Sequence, residues 1–140
     1  MKLALIVILG LVLLVAGEWL YRTFFRPVDA LTAQVLALAD HFKDTGIAVR
    51  PYPVRHGYRH SQVTATAALE ISGFPLPIVV TQCPSEAAAE THFLAVKASP
   101  NLMHPQRNGT LVMDLPMWGD GTDEMAKKVV SVFGSFKYGT

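Results

Sequence analysis

The sequence predicts an α+β fold in which an N-terminal transmembrane helix precedes a small domain of helices packed on one face of a mainly antiparallel sheet. Two observations lead to this prediction. The chain starts with a long apolar stretch, and the remainder alternates between helical and strand periodicities in the order α-β-β-β-α-β-β-α. With 140 residues there is room for one small domain and an appendage. We therefore expect a membrane anchor over residues 1–26 and an α+β domain over residues 27–140.

The apolar stretch from residue 3 to residue 17 contains no charged side chain. As a helix it would span about 22 Å, which is short of the roughly 30 Å hydrocarbon core of a bilayer. Trp19, Tyr21 and Phe25 continue it with aromatic side chains that favour the headgroup region. Glu18 would lie near the interface, with Arg22 at the favourable i+4 position. We predict a single-pass signal-anchor helix over residues 3–25 that contacts the lipid bilayer.

The side of the membrane on which the domain lies is predicted from the flanking charges. Lys2 and the free amine lie on the short side, so the positive-inside rule makes the bulk of the chain extracytoplasmic, which is periplasmic if the source is bacterial. Arg22 and Arg26 argue for the reverse. A cleaved signal peptide, with secretion after cutting near Gly17, is the alternative to the anchor.

The charge balance of the remaining chain excludes one class of partner. Residues 28–140 contain nine Lys and Arg against ten Asp and Glu, a formal charge of minus one. A nucleic-acid surface would normally have a broad basic excess, so we expect no nucleic-acid partner. Because there is a single cysteine, an intramolecular disulfide is impossible.

Three helices are predicted from apolar periodicity. In the first, Leu31, Val35, Leu38 and Phe42 recur on one face, with Asp29 as the expected N-cap and Gly46 at the end. The second covers residues 86–98, with a serine at position 85 as its cap. The third covers residues 123–136, with the cap expected at position 120 or 122.

Strand signals separate these helices. The segment 62–72 alternates so that its apolar side chains, including Leu69 and Ile71, share one face, while Thr66 and Glu70 share the other. Residues 47–54 resemble an edge strand because Pro51 lacks an amide donor, and residues 77–83 form a short apolar strand. Residues 100–116 resemble a hairpin, for which we expect an Asn-Gly type I′ turn at 108–109.

A basic segment, residues 50–61, is the first candidate site. It joins two strands and contains three arginines, two histidines and two tyrosines without an acidic residue. Such a segment favours an anion or a protein interface, in which Arg and Tyr are enriched. Pairing of its arginines with Glu70 or Asp44 is the alternative. The candidate partner-binding or anion-binding residues are Arg50, Tyr52, Arg55, His56, Tyr58, Arg59 and His60.

Cys83 is the second candidate site, a possible reactive thiol. It immediately precedes a predicted helix, whose N-terminus can stabilise a thiolate, whereas a buried apolar role is the more common one for a free cysteine. A soft Cu(I) site is a weaker alternative, because its thioether and imidazole ligands lack a fixed spacing. Its candidate ligands are Met103, His104, Met113 and Met117.

No complete catalytic, metal or nucleotide motif is present in the sequence. We therefore expect a non-enzymatic protein without a cofactor, acting as an accessory or assembly subunit that binds a protein partner at the membrane surface. An extracytoplasmic domain that binds or senses an anion through the same arginines is the first alternative. A thiol or Cu(I) protein is the second.

Overall fold

The computed structural model describes residues 6–8, 10, 12–17, 31–54, 62–74, 76–99, 103–116 and 124–139. In the domain the elements follow in the order α1 (Ala33–Asp44), β1 (Val49–Pro53), β2 (Ala65–Ile71), β3 (Ile78–Gln82), α2 (Glu86–Ala98), β4 (Met103–Asn108), β5 (Leu111–Pro116) and α3 (Glu124–Ser135). This is the predicted order α-β-β-β-α-β-β-α. The α+β class and the antiparallel sheet are confirmed.

The five strands form one antiparallel sheet in the order β1-β2-β3-β5-β4. The central strand β3 therefore pairs with β5. In the sequence, helix α2 and strand β4 come between these two paired strands. Strands β1 and β4 are the two edges.

Helices α1 and α3 cover one face of the sheet and form the main core with it. Phe42 of α1 and Phe133 of α3 are completely or almost completely buried against Leu69, Ile78 and Met113 of the strands. The two helices also contact each other through His41, whose Nε2 donates a hydrogen bond to the Val132 carbonyl at 3.2 Å. This core holds the sheet and the two helices as one unit.

Helix α2 covers the opposite face, over β4 and β5, so the expectation of helices on one face only is wrong. Its Ala89 packs against Cys83 and Val112, and Glu90 forms an ion pair of 2.7 Å with Arg107 of β4. The sequence contains the reason. Strands β3 and β5 bury side chains on both faces, and apolar runs without alternation are typical of strands covered on both sides.

Two of the three helix starts lie within the described residues. The N-cap of α1 is Thr32, whose hydroxyl accepts a hydrogen bond from the Val35 amide, and not Asp29 as predicted. Ser85 caps α2 as predicted, by accepting from the Ala88 amide at 3.1 Å. Gly46 follows α1 with a φ of 82°, as expected for a glycine after a helix end. The positions expected to cap α3, 120 and 122, lie outside the described residues.

The β4–β5 hairpin has a different turn from the predicted one. Asn108 pairs with Leu111, so the two central residues are Gly109 and Thr110. Gly109 has a φ of 58°, and no described residue other than glycine has a positive φ. A type I′ turn needs a positive φ at both central positions, whereas a positive φ at the first alone is typical of type II′.

The N-terminal region is described only in part. Residues 6–8, 10 and 12–17 are helical, and the aliphatic side chains of Ile6 and Leu14 are 67% and 74% exposed. Among the described residues no helix is both long enough and apolar enough to cross a membrane. The structure therefore does not support the helix predicted over residues 3–25, of which residues 3–5, 9, 11 and 18–25 lie outside the described part.

Candidate functional site

An ion pair on the edge of the sheet lies at the centre of the candidate site. Arg50 of β1 and Glu70 of β2 are directly opposite in the register. The Arg50 Nε and Nη2 atoms both donate to Oε2 of Glu70, at 3.1 and 2.6 Å. Both side chains are largely exposed, so the pair is worth at most about 1 kcal/mol of stability. The predicted alternative of pairing with Glu70 is confirmed for Arg50, whose charge is compensated.

A groove surrounds this ion pair, and it combines the charged pair with apolar side chains. It has a volume of about 310 Å³ and adjoins a second hollow of about 430 Å³, which Arg50 and Glu70 also line. Leu76 is 57% exposed at its rim, and Phe74 and Pro77 are half-buried beside it. We call this the β1–β2 groove and define it by the lining residues Arg50, Tyr52, Glu70, Phe74, Leu76 and Pro77.

Sequence reasoning found only part of this groove. Arg50 and Tyr52 were predicted as site residues, and Glu70 was named as a possible charge partner. Phe74, Leu76 and Pro77 were missed. The available signal was the segment 74–77, where apolar side chains and prolines occupy the connection between two strands, a place that is usually polar.

The free backbone edge of β1 has an unusual composition of hydrogen-bonding groups. The Ser72 amide donates to the Ala48 carbonyl, so the alternation of an antiparallel pair directs the backbone groups of residues 49, 51 and 53 away from β2. Pro51 and Pro53 have no amide hydrogen. This outward edge therefore presents three carbonyl acceptors and only one donor, the Val49 amide. A complete added strand cannot pair with it.

The remaining predicted residues of the basic segment are Arg55, His56, Tyr58, Arg59 and His60. They lie outside the described residues. Their participation in a site with Arg50 and Tyr52 stays a prediction.

Cys83, the candidate reactive thiol, is buried between β3 and α2. Its own amide donates to the Thr110 carbonyl at 2.8 Å, which fixes the backbone between β3 and the hairpin. Burial raises the pKa of the Cys83 thiol above its ordinary value, because desolvation disfavours the thiolate. Its position before α2 is as predicted, and its surroundings are those of a small core side chain.

The candidate copper ligands are placed in different surroundings. Met113 is completely buried in the main core, whereas His104 is exposed on the edge strand β4. The Met103 side chain and the whole of Met117 lie outside the described part. Within the described residues there is no group of three His, Cys, Asp or Glu side chains that could hold a metal ion.

Sequence reasoning missed a set of buried polar side chains on the α2 side of the sheet. Thr66 and Thr81 are register partners on β2 and β3, and both are at most 2% exposed. Their hydroxyl oxygens have no hydrogen-bond partner among the described residues. His92 of α2 and Asp114 of β5 are also buried, and both make further contacts. The alternation of β2 placed Thr66 on the face opposite Leu69, but burial of that face depends on the tertiary structure.

We expect Thr81→Val to stabilise the protein by about 1 kcal/mol, because it removes a buried hydroxyl without a partner and keeps the side-chain shape. Chemical denaturation of the full-length chain in mild detergent measures the change. Thr64→Val is the matched control at an exposed position, where we expect a change within about 0.5 kcal/mol. If Thr81→Val destabilises the protein and Thr64→Val does not, the Thr81 hydroxyl has a bound partner.

A comparison with protein-family models, curated proteins and solved structures finds no match to this chain. The geometry of its own residues therefore carries the functional argument.

Proposed function

We propose that this protein is a single-pass, membrane-anchored and non-enzymatic accessory or assembly subunit, and that its β1–β2 groove binds a protein partner at the membrane surface. The bulk of the chain is then extracytoplasmic, and residues 3–25 contact the bilayer. The observation that carries the binding proposal is the groove itself, in which one exposed and several half-buried apolar side chains lie beside a compensated ion pair.

The anchor is supported by the exposed apolar surface of the N-terminal helical residues. Seven of their side chains are between 56% and 74% exposed. Keeping apolar area in water costs about 25 cal/mol per Å², so these side chains favour a lipid environment. They are Ile6, Val7, Ile8, Val12, Leu13, Leu14 and Val15.

A protein partner fits the groove better than a small anion does. Arg50 already donates two hydrogen bonds to Glu70, so an anion would have to displace that carboxylate or bind beside it against repulsion. Phe74 and Tyr52 instead offer aromatic area of the kind that is enriched in protein interfaces, and Leu76 adds exposed apolar area beside them. Calorimetry with phosphate tests the anion alternative, which predicts saturable heat.

The test of the proposed function is partner recovery by affinity purification of the full-length protein from its own membranes in mild detergent. We expect Leu76→Asp to reduce recovery of co-purifying proteins at least tenfold, because it places a charge without a partner in the apolar part of the interface. Leu94→Asp is the matched control: Leu94 is 51% exposed on α2, on an element that does not line the groove. Equal recovery with both variants would reject the groove as the binding site.

The anchor is tested separately by carbonate extraction of the membranes and by the mass of the mature N-terminus. We expect the chain to stay in the membrane fraction with residues 1–17 present. Release into the aqueous fraction with a new N-terminus near Gly17 would support the secreted alternative.

A further inference from the structure

The two ends of the sheet differ in their distance from the start of the domain. At one end, the Thr32 hydroxyl donates to Oε1 of Gln82 at 2.5 Å, and Gln34 donates to the Thr110 hydroxyl at 3.2 Å. These bonds fix the start of α1 beside the end of β3 and the β4–β5 turn. We call this the near end, because the chain enters the domain there.

The β1–β2 groove lies at the opposite end, the far end. Ala65 pairs with Gln82 at the near end, and β2 runs from there to Ile71, which pairs with Val49. Five residues separate Ala65 from Glu70, which corresponds to about 17 Å along a strand. Phe74 and Leu76 follow in the connection beyond the end of β2. The groove is therefore about 17–20 Å from the entry of the chain.

The length of the connection to the anchor limits how the domain can turn. If the anchor ends at residue 25, seven residues remain before Ala33, the first residue of α1, and they reach at most about 25 Å when fully extended. If the domain were inverted, the whole of α1 would lie between its own first residue and the bilayer. The 12 residues of α1 span about 18 Å, and the turns at the far end add to that height. The short connection therefore favours the near end toward the lipid.

We propose that the near end of the sheet faces the bilayer and that the groove opens away from it, so that the groove binds an extramembrane polypeptide segment of the partner and not one of its transmembrane helices. This inference rests on the proposed function and adds the kind of partner and its position. The segment brings an apolar side chain to Leu76 and Phe74, and hydrogen-bond donors to the carbonyls on the outer edge of β1. Because Pro51 and Pro53 interrupt that edge, the segment binds through side chains and isolated donors and not as a sixth strand.

Depth-dependent fluorescence quenching tests this orientation. The full-length protein with Cys83→Ala is reconstituted in phospholipid vesicles that contain lipids with a nitroxide on the headgroup. A thiol-reactive fluorophore is attached either at Glu86→Cys, which is exposed at the near end, or at Ser72→Cys, which is exposed at the far end. Circular dichroism of both labelled variants confirms that they keep the fold.

We expect the nitroxide lipids to quench the label at position 86 at least threefold more than the label at position 72, and aqueous iodide to show the reverse order. Vesicle flotation shows separately whether the chain is anchored. If it is anchored, equal quenching at both positions, or stronger quenching at position 72, would overturn the proposed orientation. A chain that does not float with the vesicles would instead reject the anchor, and this inference with it.

The extramembrane character of the bound segment has its own readout. Partner-containing membranes that lack this protein are treated with protease, the protease is inhibited, and the solubilised membranes are mixed with intact wild-type protein. We expect this treatment to abolish recovery through the groove, since it removes exposed segments and spares membrane-embedded ones. Undiminished, Leu76-dependent recovery after complete removal of the partner's exposed segments would overturn the proposal.

Discussion

Phe42→Ala is expected to destabilise the domain by about 4 kcal/mol, the largest effect that we predict for a single substitution. Phe42 is 0% exposed and lies in the last turn of α1, within the main core between that helix and the sheet. Truncation removes buried apolar area and leaves a cavity that the surrounding side chains fill only partly. Because a domain of this size is typically stable by about 5–15 kcal/mol, this loss would leave a large fraction unfolded at moderate denaturant concentration.

The measurement is chemical denaturation of the full-length chain in mild detergent, followed by circular dichroism. Leu36→Ala is the matched control on the same helix, since Leu36 is 42% exposed on its outer side. We expect the control to lose less than about 1 kcal/mol. Similar losses for both variants would contradict the placement of α1 on the sheet.

Asn108→Asp has the second largest expected effect, a destabilisation of about 3 kcal/mol. The Asn108 Nδ2 donates to the Phe133 carbonyl at 2.7 Å and to the Phe136 carbonyl at 2.8 Å, and so ties the β4–β5 turn to the C-terminal end of α3. An aspartate would lose both donors and direct a negative charge at the carbonyl end of a helix dipole. Both helix carbonyls would then lose their partner in a half-buried position.

Gln106→Glu is the control for this substitution, since it makes the same amide-to-acid change two residues earlier on β4. Gln106 is half-buried, so we expect this control to change stability by less than about 1 kcal/mol, well below the effect at Asn108. If Asn108→Asp shifts the denaturation midpoint no more than Gln106→Glu does, the two carbonyl contacts do not hold α3. The same contacts give Asn108 a structural role, although residues 108–110 also fit the pattern of a glycosylation acceptor.

The order and kind of the elements could be predicted from the sequence because they depend on local periodicity. The spacing of Val35, Leu38 and Phe42 gave α1, and the alternation ending in Leu69 and Ile71 gave β2. The cap of α1 was misplaced because aspartate generally ranks above threonine as a cap residue, whereas here Thr32 accepts from the Val35 amide and also bonds Gln82.

The strand order could not be predicted from periodicity. The pairing of β3 with β5 brings Val80 opposite Met113, and nothing in either strand specifies this partner. The position of α2 was predictable in principle from the burial of both faces of β3 and β5. The hairpin turn was misassigned by one residue, since Asn-Gly and Gly-Thr pairs both accommodate a tight turn.

The composition of the sequence predicted some residues of the candidate site, but not how the fold would arrange them. Arg50 and Tyr52 were found because basic and aromatic residues cluster near them. That Arg50 would pair with Glu70 depended on the register between β1 and β2, which places the two directly opposite. The apolar rim at Leu76 was missed because it follows β2 in the chain and adjoins Arg50 only in the folded domain.

The prolines at both borders of the sheet have a consequence for how copies of this protein behave together. Pro51 and Pro53 occupy outward positions of β1, and Pro105 occupies the corresponding position of β4, opposite Asp114. Exposed strand edges can pair with the edges of other copies and so lead to aggregation. Here neither edge supplies an unbroken row of amide hydrogens, so edge-to-edge pairing of copies into continuous β-structure is disfavoured.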